Sequence, residues 1–120
     1  MKDLEKEKNF VSAVVYVHDN ASQVEKFLSL LLQVLKENFL YSEIICVNDG
    51  AKAEVPDAIR RISQSVQGVS ISALKMSSYH GTELSMTAGV DLAIGDFVFE
   101  FDSTMTDFHR KLSWRYIDYR

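Results

Sequence analysis

Apolar residues recur in two patterns along this 120-residue chain. Short, nearly continuous runs rich in β-branched residues alternate with longer stretches whose apolar positions fall every three or four residues. Phe10–Val17, FVSAVVYV, is a run of the first kind. Such a run predicts a strand buried on both faces, as in the middle of a parallel sheet. Next, Val24, Phe27, Leu28, Leu31, Leu32 and Leu35 trace one apolar face of a helix. Asn20 or Ser22 is placed to cap its start by accepting a bond from an unpaired backbone N–H. The segment around Asn38 ends it. Glu43–Val47, EIICV, predicts a second buried strand running into the polar turn Asn48-Asp49-Gly50. Pro56 fits the first turn of a second helix, where its missing N–H costs nothing, and Val55, Ile59, Ile62 and Val66 supply the apolar face. A third strand begins at Gly68, with Val69, Ile71 and Leu74 alternating. Gly81–Ile94 predicts a third helix, with Gly95 at the left-handed position that closes many helices. Asp96–Phe101, DFVFEF, predicts a fourth strand leading into Asp102, and 107–120 predicts a helical tail.

Strand and helix therefore alternate from the first strand to the fourth. That order predicts an α/β domain with a parallel sheet and right-handed crossovers. In such sheets ligands bind beyond the carboxyl ends of the strands. Four segments fall there: Tyr16 to Asn20, Asn48 to Ala51, Met76 to Gly81, and Asp102 to Thr104.

Composition narrows the classes. Hydrophobic residues make up 47% and charged residues 25%, ordinary values for a globular domain, which argues against disorder. Thirteen basic residues against 17 acidic ones, net −4, argue against a nucleic-acid binder. One cysteine, Cys46, excludes an internal disulfide framework and a cysteine-based zinc site, and its apolar strand makes it a buried, inert thiol. A single proline and five glycines leave no low-complexity linker. The opening MKDLEKEKNF is charged and lacks the apolar stretch of a signal peptide. The most apolar run, FLSLLLQVL at 27–35, is far short of the ~20 residues a membrane span needs. A cytoplasmic domain is expected, either self-sufficient or half of a larger one.

The chemistry-bearing residues cluster at the expected strand ends. Tyr16, His18, Asp19 and Asn20 close the first strand, Asn48, Asp49 and Gly50 the second, and Asp102, Ser103 and Thr104 the fourth. Oxygen ligands on converging strand ends suit a hard cation and a nucleotide. An acid after the second strand suits a base or ribose, and a glycine beside it lets the backbone approach the ligand. Each also has a plain structural reading. Asn-Asp-Gly is turn sequence anywhere, Asp-Ser-Thr caps helices, and His18 suits an ordinary loop. His80 and His109 lack companions at metal-ligand spacing. The P-loop, the dinucleotide glycine fingerprint and the nucleophile elbow are absent.

Five segments taken in order resemble the nucleotide-sugar-binding half of family 2 glycosyltransferases, the group that includes dolichol-phosphate mannosyltransferases. Val11-Ser-Ala-Val-Val-Tyr-Val-His-Asp-Asn20 is similar to the family's V-S-V-V-I-P-V-Y-N-E. Glu43-Ile-Ile-Cys-Val-Asn-Asp-Gly50 is similar to E-I-I-V-V-[DN]-D-G-S. Ser77-Ser-Tyr-His-Gly81 lies where the family has a segment such as S-R-N-x-G. Thr87-Ala-Gly-Val-Asp-Leu-Ala-Ile-Gly-Asp96 is similar to N-A-G-L-D-x-A-x-G-D, and Phe97 to Thr104 to the strand ending in D-x-D.

The resemblance implies a Rossmann-like GT-A sheet cut after its fourth strand. Residues 1–9 would be a charged extension, 10–104 the nucleotide-sugar-binding half, and 105–120 a truncated helical tail. It implies that Asp49 binds the base of a UDP- or GDP-sugar beside Gly50, and that Tyr16, His18 and Asn20 line the nucleoside pocket. It implies that Asp102 holds Mg²⁺ or Mn²⁺ against the diphosphate, with Thr104 at the position of the second acid. Transfer to a polysaccharide or glycolipid acceptor would follow, with a catalytic Asp or Glu from the other half of the domain. No residue here takes that role, so little transfer is expected from this chain alone. The departures carry weight. Thr104 is a poorer Mg²⁺ ligand than a carboxylate. Ser78 stands where many members carry a phosphate-pairing Arg. Both favour the alternative of a degenerate GT-A-like binding or assembly module without catalysis. The basic, aromatic tail suits weak contact with a membrane surface or an acidic partner. An open fourth-strand edge predicts a homo-oligomer, because unpaired edges recruit partners.

Overall fold

The computed structural model describes residues 7–18, 21–50, 53–76, 81–101 and 116–118, with backbone alone at 7–9, 82–83 and 116–118. Its elements follow the expected alternation: β1 (Glu7–Val17), α1 (Ala21–Asn38), β2 (Phe39–Asn48), α2 (Glu54–Ser65), β3 (Val69–Lys75), α3 (Thr82–Leu92), β4 (Phe97–Phe101) and β5 (Tyr116–Asp118). The sheet order is β3-β2-β1-β4-β5. β1 pairs in parallel with both β2 and β4, and β2 in parallel with β3.

Residue parity sorts the sheet into two faces. Val11, Ala13, Val15 and Val17 of β1, Ile44 and Cys46 of β2, Val69 of β3 and Phe101 of β4 face α1 and α2 in the larger core. Val14, Tyr16, Ile45, Val47 and Val98 face the opposite side, where Met86 of α3 covers them. Both faces of β1 are buried, which explains its uninterrupted apolar run. On α1 the buried side chains are Val24, Phe27, Leu28, Leu31, Leu32 and Leu35, the stripe read from the sequence. Phe27 meets Phe101 edge-on at 5.5 Å between centroids and ties α1 to β4. Asn38 ends the helix by donating its side-chain amide to the Val34 carbonyl at 2.7 Å. β2 starts at the next residue, four positions earlier than its apolar run suggested.

Three local expectations are corrected. Leu74 does not share a face with Val69 and Ile71: it packs in the α3 core while they join the α1/α2 core, as strand alternation requires. The third helix is shorter than expected, Thr82–Leu92. Gly95 is not left-handed: the glycines with positive φ are Gly50, Gly68 and Gly81. Gly95 serves close approach instead. A Cβ there would lie 2.6 Å from Ser12 Oγ, 2.8 Å from the Ser12 nitrogen and 2.9 Å from the Phe10 oxygen. Its N–H donates to Ser12 Oγ at 2.9 Å, and Ser12 donates to the buried Glu43 carboxylate at 2.6 Å. Glu43 also accepts from the Ile94 N–H at 3.0 Å. This buried network fixes the α3–β4 connection against the starts of β1 and β2.

The sheet's far end brings the largest correction. Tyr116–Asp118 is a strand, not part of a helical tail. It pairs antiparallel with β4, Ile117 opposite Val98. Backbone pairing there outcompetes local helix propensity, because β4 would otherwise leave a row of donors and acceptors unpaired. The sheet therefore does not stop at its fourth strand, and on the β4 edge that predicted pairing with another copy Phe97–Phe99 are covered from within the chain. The remainder of 105–120 lies outside the described residues. No helix among the described residues is long and apolar enough to cross a membrane.

Candidate functional site

Strand order reverses at β1: β2 and β3 extend the sheet on one side, and β4 is added on the other. In open α/β sheets the crevice for ligands lies at this reversal, beyond the carboxyl ends of the strands. β1 and β2 finish level there, with Val17 opposite Asn48. Asp49 follows directly, and its N–H donates to the Val17 carbonyl at 3.1 Å. The Met76 N–H donates to the Asn48 carbonyl at 2.9 Å, so the β2–β3 ladder holds the same turn from its other side.

Tyr16 and Asp49 lie on the same side of the sheet by alternation. The Tyr16 hydroxyl donates to Asp49 Oδ2 at 2.9 Å. The Gly81 N–H donates to the same oxygen at 2.8 Å. Gly81 precedes α3 with φ 90° and ψ 164°, a backbone conformation that an L side chain strains to adopt. The Asp49 carboxylate thus caps the start of α3 from a different strand, at the helix end where negative charge is favoured. Asp49 is fully buried and Tyr16 is 8% exposed. A buried carboxylate needs such donors, since an unpaired one is costly.

His18 is exposed. Its Nδ1 lies 2.7 Å from the Asp49 carbonyl oxygen. That oxygen only accepts, so Nδ1 carries a proton and donates. The Tyr16 and His18 rings are nearly parallel, 6.2 Å apart at 21°. Gly50 is exposed with φ 80°, a turn that disfavours any side chain.

The structure therefore gathers Tyr16, His18, Asp49 and Gly50 at the carboxyl ends of β1 and β2. Asn20, Asp102 and Thr104 lie outside the described residues, as does Ser78. β4 ends at Phe101, opposite Val15. Among the described residues no group of three His, Cys, Asp or Glu side chains is arranged to hold a metal ion. The participant the sequence reading missed is the Gly81 N–H. Its signal was present: a glycine immediately before a helix, where a positive φ lets the chain turn a main-chain donor toward a strand end.

No family model matches the chain. A curated relative, an uncharacterized glycosyltransferase from Synechocystis sp., is 31% identical over 97 residues, 81% of this chain. Among solved structures, a mannosyltransferase from Pyrobaculum calidifontis in complex with GDP-Man and Mn²⁺ superposes over 80% of this chain with a TM-score of 0.67. This is a glycosyltransferase-like domain. At 16% identity the mannosyltransferase shows the fold: an α/β sheet with flanking helices, matching the N-terminal part of a GT-A enzyme. The glycosyltransferase-like domain spans 30% of its curated relative's length and 28% of the mannosyltransferase chain.

Proposed function

We propose that this domain is the donor-binding half of a family 2 glycosyltransferase of the dolichol-phosphate mannosyltransferase type and binds a UDP- or GDP-sugar. The observation that carries the reading is the buried Asp49 carboxylate, held at the strand-order reversal with Tyr16, His18 and Gly50 around it. Asp49 accepts an N–H of the base, and Tyr16, His18 and Asn20 line the nucleoside. The mannosyltransferase that shares the fold carries GDP-Man and Mn²⁺, which supports a nucleotide-sugar and a divalent cation as ligands. Asp102 is the residue to hold Mg²⁺ or Mn²⁺, with Thr104 as a weaker neutral neighbour. The metal's contribution is neutralisation of charge on the diphosphate. Residues 1–120 alone bind without appreciable transfer.

Calorimetry with UDP and GDP, each with and without Mn²⁺, tests this. One diphosphate binds, more tightly with Mn²⁺, and Asp49→Ala loses the binding. If neither diphosphate binds under any condition, in the native chain or in its Tyr16→Phe variant, the donor-site reading fails. Thr104 favours a second reading, a GT-A-like module that binds or assembles without a metal. Nucleotide binding indifferent to Mn²⁺ selects that reading.

A further inference from the structure

Asp49 has no exposed surface. A ligand reaches its carboxylate only by displacing a group already there. Among the described residues two donors share Oδ2, and they differ in freedom. The Gly81 N–H is main chain at the start of α3, where the Gly81 carbonyl also accepts the Ser85 N–H at 3.1 Å. It leaves only if the helix start unwinds. The Tyr16 hydroxyl sits at the end of a side chain with two rotatable bonds. It leaves by rotation.

A phenol is also chemically close to what a nucleobase offers: a flat ring with a donor at its edge, one N–H on uracil and more than one on guanine. We infer that the Tyr16 hydroxyl is an internal stand-in for the nucleobase N–H on Asp49, so that Tyr16 competes with the base and sets the affinity of the site. This rests on the donor-site reading. The unliganded site is self-occupied, the acceptor stays satisfied without ligand, and the base enters as the phenol swings away. The exposed His18 ring, 6.2 Å away and nearly parallel, offers a flat surface beside that path.

The decisive comparison is Tyr16→Phe against the native chain, titrated with UDP and GDP. The variant keeps the ring and removes only the competing donor. It removes the donor that competes for Asp49 and keeps the ring that lines the nucleoside, so affinity rises roughly tenfold, the scale of one net hydrogen bond. Thermal melting confirms that the variant is folded. An independent readout is the ring resonance of Tyr16 in protein carrying ¹³C-tyrosine, which shifts as diphosphate saturates the native site. If the native chain binds and Tyr16→Phe binds equally or more weakly, the inference is overturned while the donor-site reading stands. An unmoved Tyr16 resonance at saturation has the same consequence. Binding by Tyr16→Phe where the native chain shows none supports both. Silence from both proteins overturns both.

Discussion

Asp49 shows how much one side chain does in this fold. Its N–H, its carbonyl and its carboxylate each meet a partner, from Val17, from His18, and from Tyr16 and Gly81 respectively. The same carboxylate is thus a tie between β1, β2 and α3 and the candidate ligand acceptor, and the two roles compete for one oxygen. Cys46 is the opposite case, a reactive atom with nothing to react with. It is fully buried, and burial pushes its thiol up to about 12 from an ordinary 9.0. The folded protein keeps that proton while the unfolded chain loses it, so the native state binds more protons between these values. Stability accordingly falls as pH rises above 9.0 toward about 12. Urea unfolding of Cys46→Ala is expected to show a shallower loss over that range than the native chain. Iodoacetamide at pH 8 is expected to label Cys46 only after denaturation, because the thiolate is the nucleophile.

At the scale of elements, α3 lies closer to the sheet than a helix with ordinary side chains can. A Cβ on Gly89 would stand 2.5 Å from Val14 Cγ1 and 2.6 Å from Val47 Cγ2. Both valines are β-branched and hold one χ1 well, so neither swings aside cheaply. Gly89→Ala gains about 1 kcal/mol of helix propensity but forces overpacking that costs ~1–3 kcal/mol. A net loss of stability is expected, read as a lower urea midpoint at unchanged slope. A neutral result would mean that α3 rides on the sheet less closely than this. The elements themselves were well marked in the sequence, for physical reasons. α1 packs a full stripe on the sheet, so its periodicity survives intact. β1 is buried on both faces, so its run is unbroken. β3 lies at an edge with Ser70, Ser72 and Ala73 exposed, and its alternation was correspondingly easy to misread. The neighbours Tyr16, His18, Asp49 and Gly50 were legible as a cluster because polar residues at the ends of buried strands stand out. Gly81 entered only as the end of the Met76–Gly81 segment, because the role of a main-chain donor is marked by a glycine's backbone and not by a side chain.

For the whole molecule, the decisive pairing is the smallest. β5 has three residues and covers β4. In an antiparallel pair, adjacent residues alternate between bonded and unbonded positions. Replacing both Tyr116 and Ile117 by proline therefore removes a ladder donor whichever of the two supplies it. The double variant is expected to self-associate more strongly than the native chain in sedimentation velocity, because the β4 edge is then available. Equal sedimentation of the two at matched concentration would show that β5 does not protect that edge.

The alternation of strand and helix, the parallel sheet, the stripe of α1 and the strand ends that carry polar chemistry follow from the order of residues along the chain. These depend on which residues must leave water, and burial is written in local periodicity. Packing in three dimensions settles that Gly95 serves contact rather than a turn, that 116–118 returns to the sheet, and that Tyr16 and Gly81 meet on Asp49. Each of those joins residues far apart in the chain. Their physical cause is the need of buried backbone and carboxylate groups for partners, and no local pattern records which partner answers.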